Sequence, residues 1–247
     1  MEPEELKILR IFKNKDLFLE KNCLKHGEKN GGLWLGGGDF GSVGVICLNN
    51  EIQSENCKHA IKAIKVEEEK ELEDAKKEAE NAEIASDINV GPNFIRSFGC
   101  KTSEGNFYFI ITERYDTDLR KYLKTCDKDH GKGKNVSDKI ISLKKALTEL
   151  MLLCIKKHFY HSDLCSMDGT NEGNIILKVD TKGNVITAKL TDFDDCKIDM
   201  SKNESFEKKI KDQWCCLWKD LKEDEDHESF RLYNLETDEI KKLCGDK

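Results

Sequence analysis

Apolar and polar residues alternate through residues 33–48 (LWLGGGDFGSVGVICL), the period-two signature of a half-buried strand. Spaced glycines break the run, so the pattern predicts a strand, a turn and a second strand. Residues 58–66 (KHAIKAIKV) form another β-prone run, with lysines where a buried strand disfavours them. Helical spacing takes over in residues 67–88, where Leu72, Ala75, Ala79, Ala82, Ala85 and Ile88 recur on one face and the other face is densely charged. Residues 93–115 read as a hairpin around Glu104-Gly105 that leads into a short helix at DTDLRKYL. Two more helices are predicted, over residues 137–157 from Ile140, Leu143, Leu147, Leu150, Met151 and Cys154, and over 210–221 from Trp214, Leu217, Trp218 and Leu221. Between them lie a turn-rich stretch and two short apolar strands. Residues 1–30, apolar at Leu6, Ile8, Leu9, Ile11 and Phe12, read as an extension packing on the first strands; residues 126–137 read as a polar loop and 222–228 as a solvated charge run. There is no internal repeat.

Chemistry-bearing residues fall at the joints of this plan. Gly36, Gly38, Gly41 and Val43 fit G-x-G-x-x-G-x-V, in which missing side chains let a strand–turn–strand backbone close over nucleotide phosphates; a glycine-rich hairpin tip accounts for the same residues. Ala60-Ile61-Lys62 matches the strand lysine of V-A-I-K, and Ala63-Ile64-Lys65 repeats the match three residues on. Lys62 is preferred, because Ile64 and Val66 then continue the strand. On the helix that follows, Glu78 is chosen as its partner, one turn before Ala82, with Glu80 and Glu83 as alternatives. His161-Ser162-Asp163-Leu164 resembles the H-R-D-L catalytic loop, Asn174 its later asparagine, and Asp192-Phe193-Asp194 the D-F-G turn.

Five features in this order resemble a protein kinase, over residues 33–221. The resemblance implies an α+β, two-lobed fold, with a β-rich small lobe and hinge over residues 31–115 and a truncated helical large lobe over 116–247. It also implies ATP and Mg2+ as cofactors, with catalysis by positioning and charge neutralisation. On this reading Gly36, Gly37, Gly38, Asp39, Phe40, Gly41, Val43, Ala60 and Lys62 surround the nucleotide and Glu78 fixes the lysine. Thr112, Glu113 and Tyr115 form the gatekeeper and hinge against adenine. Asp163 accepts the substrate hydroxyl's hydrogen bond, and Asn174 and Asp192 supply hard oxygens for magnesium.

Three departures qualify the resemblance. Asp163 and Asn174 lie eleven positions apart, against five in the motif. Either an insertion bulges out between them, which the turn formers of residues 165–172 favour, or Asp168 is the catalytic acid. Asp194 stands in place of glycine, implying a more rigid turn or an extra metal contact. Third, Asp212 stands where the family would anchor the catalytic loop, on a helix that reads equally as ordinary core. Asp212 follows Asp192 by only 20 positions with no A-P-E motif between, and 26 residues follow Leu221, so the expectation is a minimal kinase without a full activation segment, similar in outline to kinases of bacterial effectors and large DNA viruses.

Composition narrows the partners. The 247 residues are 38% hydrophobic and 36% charged, with a formal net charge of −7, which disfavours nucleic-acid binding, since phosphate neutralisation needs a basic surface. No apolar run approaches a membrane span, and the MEPEELK start lacks a signal peptide's features, so a cytoplasmic protein is expected, in the host cytoplasm for a viral or effector source. Eleven scattered cysteines without a C-x-x-C pair read as reduced thiols, Cys215-Cys216 as core packing. The expected activity is phosphoryl transfer to protein Ser/Thr hydroxyls, with a protein substrate or regulatory protein partner and no assignment of oligomeric state. The alternatives are a pseudokinase, or a small-molecule kinase of the same fold.

Overall fold

The computed structural model describes residues 34–38, 41–46, 58–102, 105–166, 169–199, 203–223 and 238–245. Residues 1–30, Asp39, Phe40 and Asp168 lie outside them. The described chain forms two compact units. One takes the residues through Glu80 together with Asn93–Arg114, the other Asn81–Pro92 and everything from Tyr115. The division expected from sequence, a single cut after residue 115, therefore shifts by one residue, and residues 81–92 join the second unit.

In the first unit the glycine-rich alternation becomes β1 (Trp34–Gly38) and β2 (Gly41–Ile46), followed by β3 (His59–Val66), β4 (Phe94–Thr102) and β5 (Gly105–Glu113). They make an antiparallel sheet in the order β1-β2-β3-β5-β4. Ile61, Phe109 and Ile111 are fully buried in it, each contributing about 1.5–3 kcal/mol by removal from water. Gly41 is required where it stands. Its φ is +155°, and a Cβ there would lie 2.6 Å from the Ala63 carbonyl oxygen, so the hairpin closes onto β3 only without a side chain. Helix α1 (Glu69–Asp87) starts two residues later than the periodicity suggests. It buries Ala75 and Ala79 here, and Ala82 and Ala85 in the second unit.

The second unit is built on helices α2 (Leu119–His130) and α3 (Ser137–Lys157). Asp118 caps α2 by accepting from the Lys121 amide at 2.8 Å. The helix runs through Cys126 to His130, so the loop expected over 126–137 is shorter, because Leu119, Tyr122, Leu123 and Cys126 form one buried stripe. Strands β6 (Thr117–Asp118), β10 (Ile175–Val179) and β11 (Val185–Leu190) form a sheet in the order β11-β10-β6. Two short pairs complete it: β7 (Phe159–His161) with β12 (Cys196–Ile198), and β8 (Cys165–Ser166) with β9 (Gly169–Thr170). Helix α4 (Glu204–Glu223) starts six residues before the predicted 210. Ile210, Trp214, Leu217, Trp218 and Leu221 form its buried stripe. A short helix, α5 (Asp238–Cys244), follows. No helix among the described residues is long and apolar enough to cross a membrane.

Two disulfides, Cys165–Cys216 and Cys215–Cys244, replace the expected reduced thiols at these positions. Cys215 and Cys216 lie off the α4 stripe, partly or fully exposed, so they are not core residues. Their partners are 29 and 51 residues away, a separation that local patterning cannot reveal. Cys126, Cys154 and Cys196 are buried and form no disulfide.

Candidate active site

In the first unit, ladder register collects the expected nucleotide residues. Val43 pairs with Lys62, Lys62 with Ile110, and Ala60 with Thr112. Paired residues of an antiparallel ladder share a face, as do residues two apart, so Val43, Ala60, Lys62 and Thr112 lie on one face of the sheet. Gly36 extends that row through its pairing with Val43; Gly37 and Gly38 follow it in β1 and pair with Ser42 and Gly41. Lys62 Nζ donates to Glu78 Oε1 at 2.7 Å, with 16% and 6% of the two side chains exposed. Lys65, three residues on, faces the other way, is exposed and pairs with exposed Glu67. The helix makes a similar choice. Glu78 lies on the buried stripe with Ala75 and Ala82, while Glu80 and Glu83 are exposed. At the end of β5 the amides of Glu113 and Arg114 are already bonded to the carbonyls of Asn93 and Lys58, both at 2.8 Å, which commits the amide of Glu113, one of the expected hinge residues.

The second unit holds the loop residues, with Tyr115 buried at its start under the Lys178 ammonium, 5.0 Å from the ring centroid. After β7 the chain turns through Ser162–Leu164, and the eleven-position gap is taken up by the β8–β9 hairpin. A 3-10 turn over Glu172–Asn174 then enters β10. The hairpin returns the chain to its start. The Asn171 amide bonds the Leu164 carbonyl at 3.2 Å, and Asp163 and Asn174 meet, with Asn174 Nδ2 donating to Asp163 Oδ2 at 2.9 Å and more weakly to its carbonyl at 3.4 Å. Asp163 is exposed and Asn174 buried. Ile175 pairs with Leu190, and the Thr191 amide bonds the Asn174 carbonyl at 2.9 Å, so Asn174 and Asp192 stand at neighbouring ends of paired strands. Asp192 has φ +65°, a region that aspartate tolerates better than most residues. Asp194 does not share that conformation; its carboxylate accepts the Asp195 amide at 2.9 Å.

His161 locks the loop to this turn. It is 1% exposed, and its Nε2 lies 2.8 Å from the Thr191 carbonyl; a carbonyl only accepts, so Nε2 carries the proton. Phe193 packs on both His161 and Phe159. Gly91 lies so close that a Cβ there would meet the Phe193 ring at 2.9 Å.

Several participants escaped the sequence reading. Asn171 Nδ2 donates to the same Asp163 Oδ2 at 2.9 Å, a second amide on the carboxylate. Asn81 Nδ2 holds the Phe193 carbonyl at 2.8 Å. Buried Glu172 pairs with Arg120 at 3.5 Å. The loop anchor is also different from the one expected. Asp212 is exposed, and buried Gln213 donates through Nε2 to the His161 carbonyl. Helical geometry decides this: Gln213 lies three residues after Ile210 and four before Leu217, on the buried stripe, and Asp212 lies off it. The one available signal was that phase.

A magnesium ion fits the donor set of this turn. With Asn174 Nδ2 given to Asp163, its Oδ1 is left as the accepting oxygen, and Asp192 adds a carboxylate. One carboxylate, one amide oxygen and substrate phosphates suit this ion, which seldom takes an all-protein cage. Among the described residues no cluster of three or more His, Cys, Asp or Glu offers such a cage.

Ordered glycine strands, a strand lysine paired to a helix glutamate, and an H-x-D loop joined to an asparagine and a D-F-x turn agree with a comparison against family models. The model for protein tyrosine and serine/threonine kinases matches residues 32–221. The chain belongs to the protein kinase family. Its α+β architecture is the kinase fold, and phosphoryl transfer is the chemistry of the family. No curated protein matches this kinase chain.

Proposed function

We propose that this chain is an ATP- and magnesium-dependent protein kinase that phosphorylates Ser/Thr hydroxyls. The observation that carries the reading is the Asp163–Asn174 contact, made across an insertion that more than doubles the motif's spacing. The β8–β9 hairpin absorbs the extra length, so the two side chains are in hydrogen-bond contact despite it. Asp163 accepts the hydrogen bond of the substrate hydroxyl and orients its oxygen toward the γ-phosphate. Lys62, fixed by Glu78, neutralises phosphate charge, and the backbone amides of Gly36, Gly37, Gly38 and Gly41 are the phosphate cover. Asn174 and Asp192 would hold magnesium, which would supply charge neutralisation on the phosphate oxygens. Thr112, Glu113 and Tyr115 adjoin adenine.

The partner is a protein, as substrate or regulator, and not nucleic acid, given the net charge of −7. The site of action is the cytoplasm, where ATP is supplied. β12 ends at Ile198 and α4 begins at Glu204, which leaves little chain for a loop ordered by phosphorylation, so activity survives phosphatase treatment. The test is transfer of radiolabelled phosphate from ATP to mixed protein substrates, with Asp192→Asn as control. Nucleotide binding without transfer replaces the reading with the pseudokinase alternative, transfer only to metabolites replaces it with the small-molecule kinase, and the absence of both binding and transfer overturns it altogether.

A further inference from the structure

We propose that Cys165–Cys216 is a reversible thiol–disulfide site, reduced by small-molecule thiols such as glutathione, whose state sets the turnover of the catalytic loop. The proposal rests on the kinase reading for its effect on activity, and on the fold alone for its effect on the loop.

Position is the first argument. Cys165 comes two residues after Asp163 and pairs across the hairpin with Thr170, the neighbour of Asn171. A bond at Cys165 therefore holds the base of the insertion where both of its strands leave the Asp163 cluster. Cys216 lies three residues after Gln213 on α4, within one helical turn of it, at the exposed margin of the buried stripe. One helix thus ties the loop twice: through Gln213 to the His161 carbonyl, and covalently through Cys216 to the insertion. Reduction removes the second tie. The residues that lose it include Asn171 and Asn174, the two amides that orient Asp163.

Accessibility is the second argument. Cys216 is exposed and Cys165 partly so, which opens the bond to attack, and exposed disulfides are the labile, regulatory ones. The thiols of Cys126 and Cys154 are shielded. Cys126 is 1% and Cys154 0% exposed, and burial pushes the Cys126 thiol up to about 11, so neither competes as a nucleophile. In a reducing compartment a disulfide of this kind is transient and sensing, not structural.

The exchange balances with two equivalents of monothiol. A glutathione thiolate attacks Cys216 Sγ, the Cys165–Cys216 bond breaks, and its electron pair leaves on Cys165 Sγ, which takes up a proton. A second glutathione thiolate attacks the glutathione sulfur of the mixed disulfide, releasing Cys216 as a thiolate and forming glutathione disulfide. Two electrons pass from the two glutathiones to the protein.

The test equilibrates the full chain in glutathione buffers of graded ratio, maps the thiols by alkylation and mass spectrometry, and measures kcat and nucleotide affinity at each ratio. Turnover should fall on the order of tenfold as this bond is reduced, since small misplacements of reacting groups carry large rate costs, while nucleotide affinity stays level. The double variant Cys165→Ser/Cys216→Ser should sit at the reduced rate and ignore the buffer; Cys215→Ser/Cys244→Ser should still respond. Equal turnover in both states, a redox response in the Cys165/Cys216 variant, or free thiols at both positions under oxidising buffer overturns the proposal. If no state transfers phosphate, the kinase reading fails and amide hydrogen exchange over residues 162–174 decides the site. Faster exchange on reduction supports it, and unchanged exchange sinks it.

Discussion

Lys62 and Glu78 sit on a strand and a helix, whereas Asp163, Asn171 and Asn174 sit on a loop stretched by an insertion. The first pair is placed by period alone. Once the strand is in register, residue 62 faces one side and residue 65 the other, and once the helix is in phase, residue 78 joins the buried stripe while residues 80 and 83 leave it. The second group is placed by contacts that close at a distance in sequence: a hairpin that brings Asn171 back to Leu164, a strand pair that sets Asn174 beside Thr191, and a glutamine on α4 that holds His161. Regular elements fix chemistry through phase, and loops fix it through closure.

The strongest way to break this comparison is to attack the loop's acid. Asp163→Asn should lower turnover by roughly 10²–10⁴-fold, the usual worth of a positioned proton acceptor, and leave nucleotide binding intact. Asp168→Asn should cost little. The reverse result would assign the acid to Asp168 and make the Asp163 cluster a structural knot. Asn171→Ala should fall between the two, with kcat reduced and the KM for ATP unchanged; a loss in KM alone would show that the second amide does not orient the acid.

Phase is tested by the two lysines. ATP with magnesium should raise the melting temperature of the wild type by mass action, and Lys62→Met should remove most of that rise, equivalent to at least a tenfold loss of affinity, or about 1.4 kcal/mol. Lys65→Met should keep it. If the two behave alike, the strand's face does not select the lysine.

The anchor on α4 gives a smaller effect. Gln213→Leu leaves the buried His161 carbonyl without its donor and should cost about 1–3 kcal/mol of stability, read by urea denaturation, whereas Asp212→Asn should stay within about 0.5 kcal/mol. The smallest effect is electrostatic. Hydrogen bonds from Lys134 and Lys139 hold half-buried Asp129 down to about 2. Its folded value lies below the ordinary carboxylate range, so its small stabilisation is present at neutral pH and lost as pH falls through the range from about 4 to about 2. The stability gap between wild type and Asp129→Asn should close over that interval, and a gap that widens would reverse the sign.

These cases mark what the sequence disclosed. The strands of the first unit, the helix carrying Glu78 and the stripes of α3 and α4 follow from periodicity, and the ordered motifs pointed to the family. Helix ends moved because capping and polar first turns carry weak signals: α2 outlasted its expected end at Leu123, and α4 began well before Ile210. Asn171, Asn81 and Glu172 were illegible because each acts on a residue brought near only by the fold. Gln213 was legible in principle, one position from the residue chosen, had phase been weighed above the motif. The disulfides were hidden for another reason: cysteine positions do not encode their partners.

The β8–β9 hairpin carries an engineering consequence. Its mouth is set by two cross-strand pairs, Cys165 with Thr170 and Ser166 with Gly169, so the gap the loop must bridge is independent of what is attached beyond it. Lengthening such a segment costs only closure entropy, about 0.6 kcal/mol for each doubling. A peptide epitope or fluorescent reporter grafted between Ser166 and Gly169 would therefore ride within a few residues of the Asp163 cluster without entering it, turning the kinase into its own sensor of loop order.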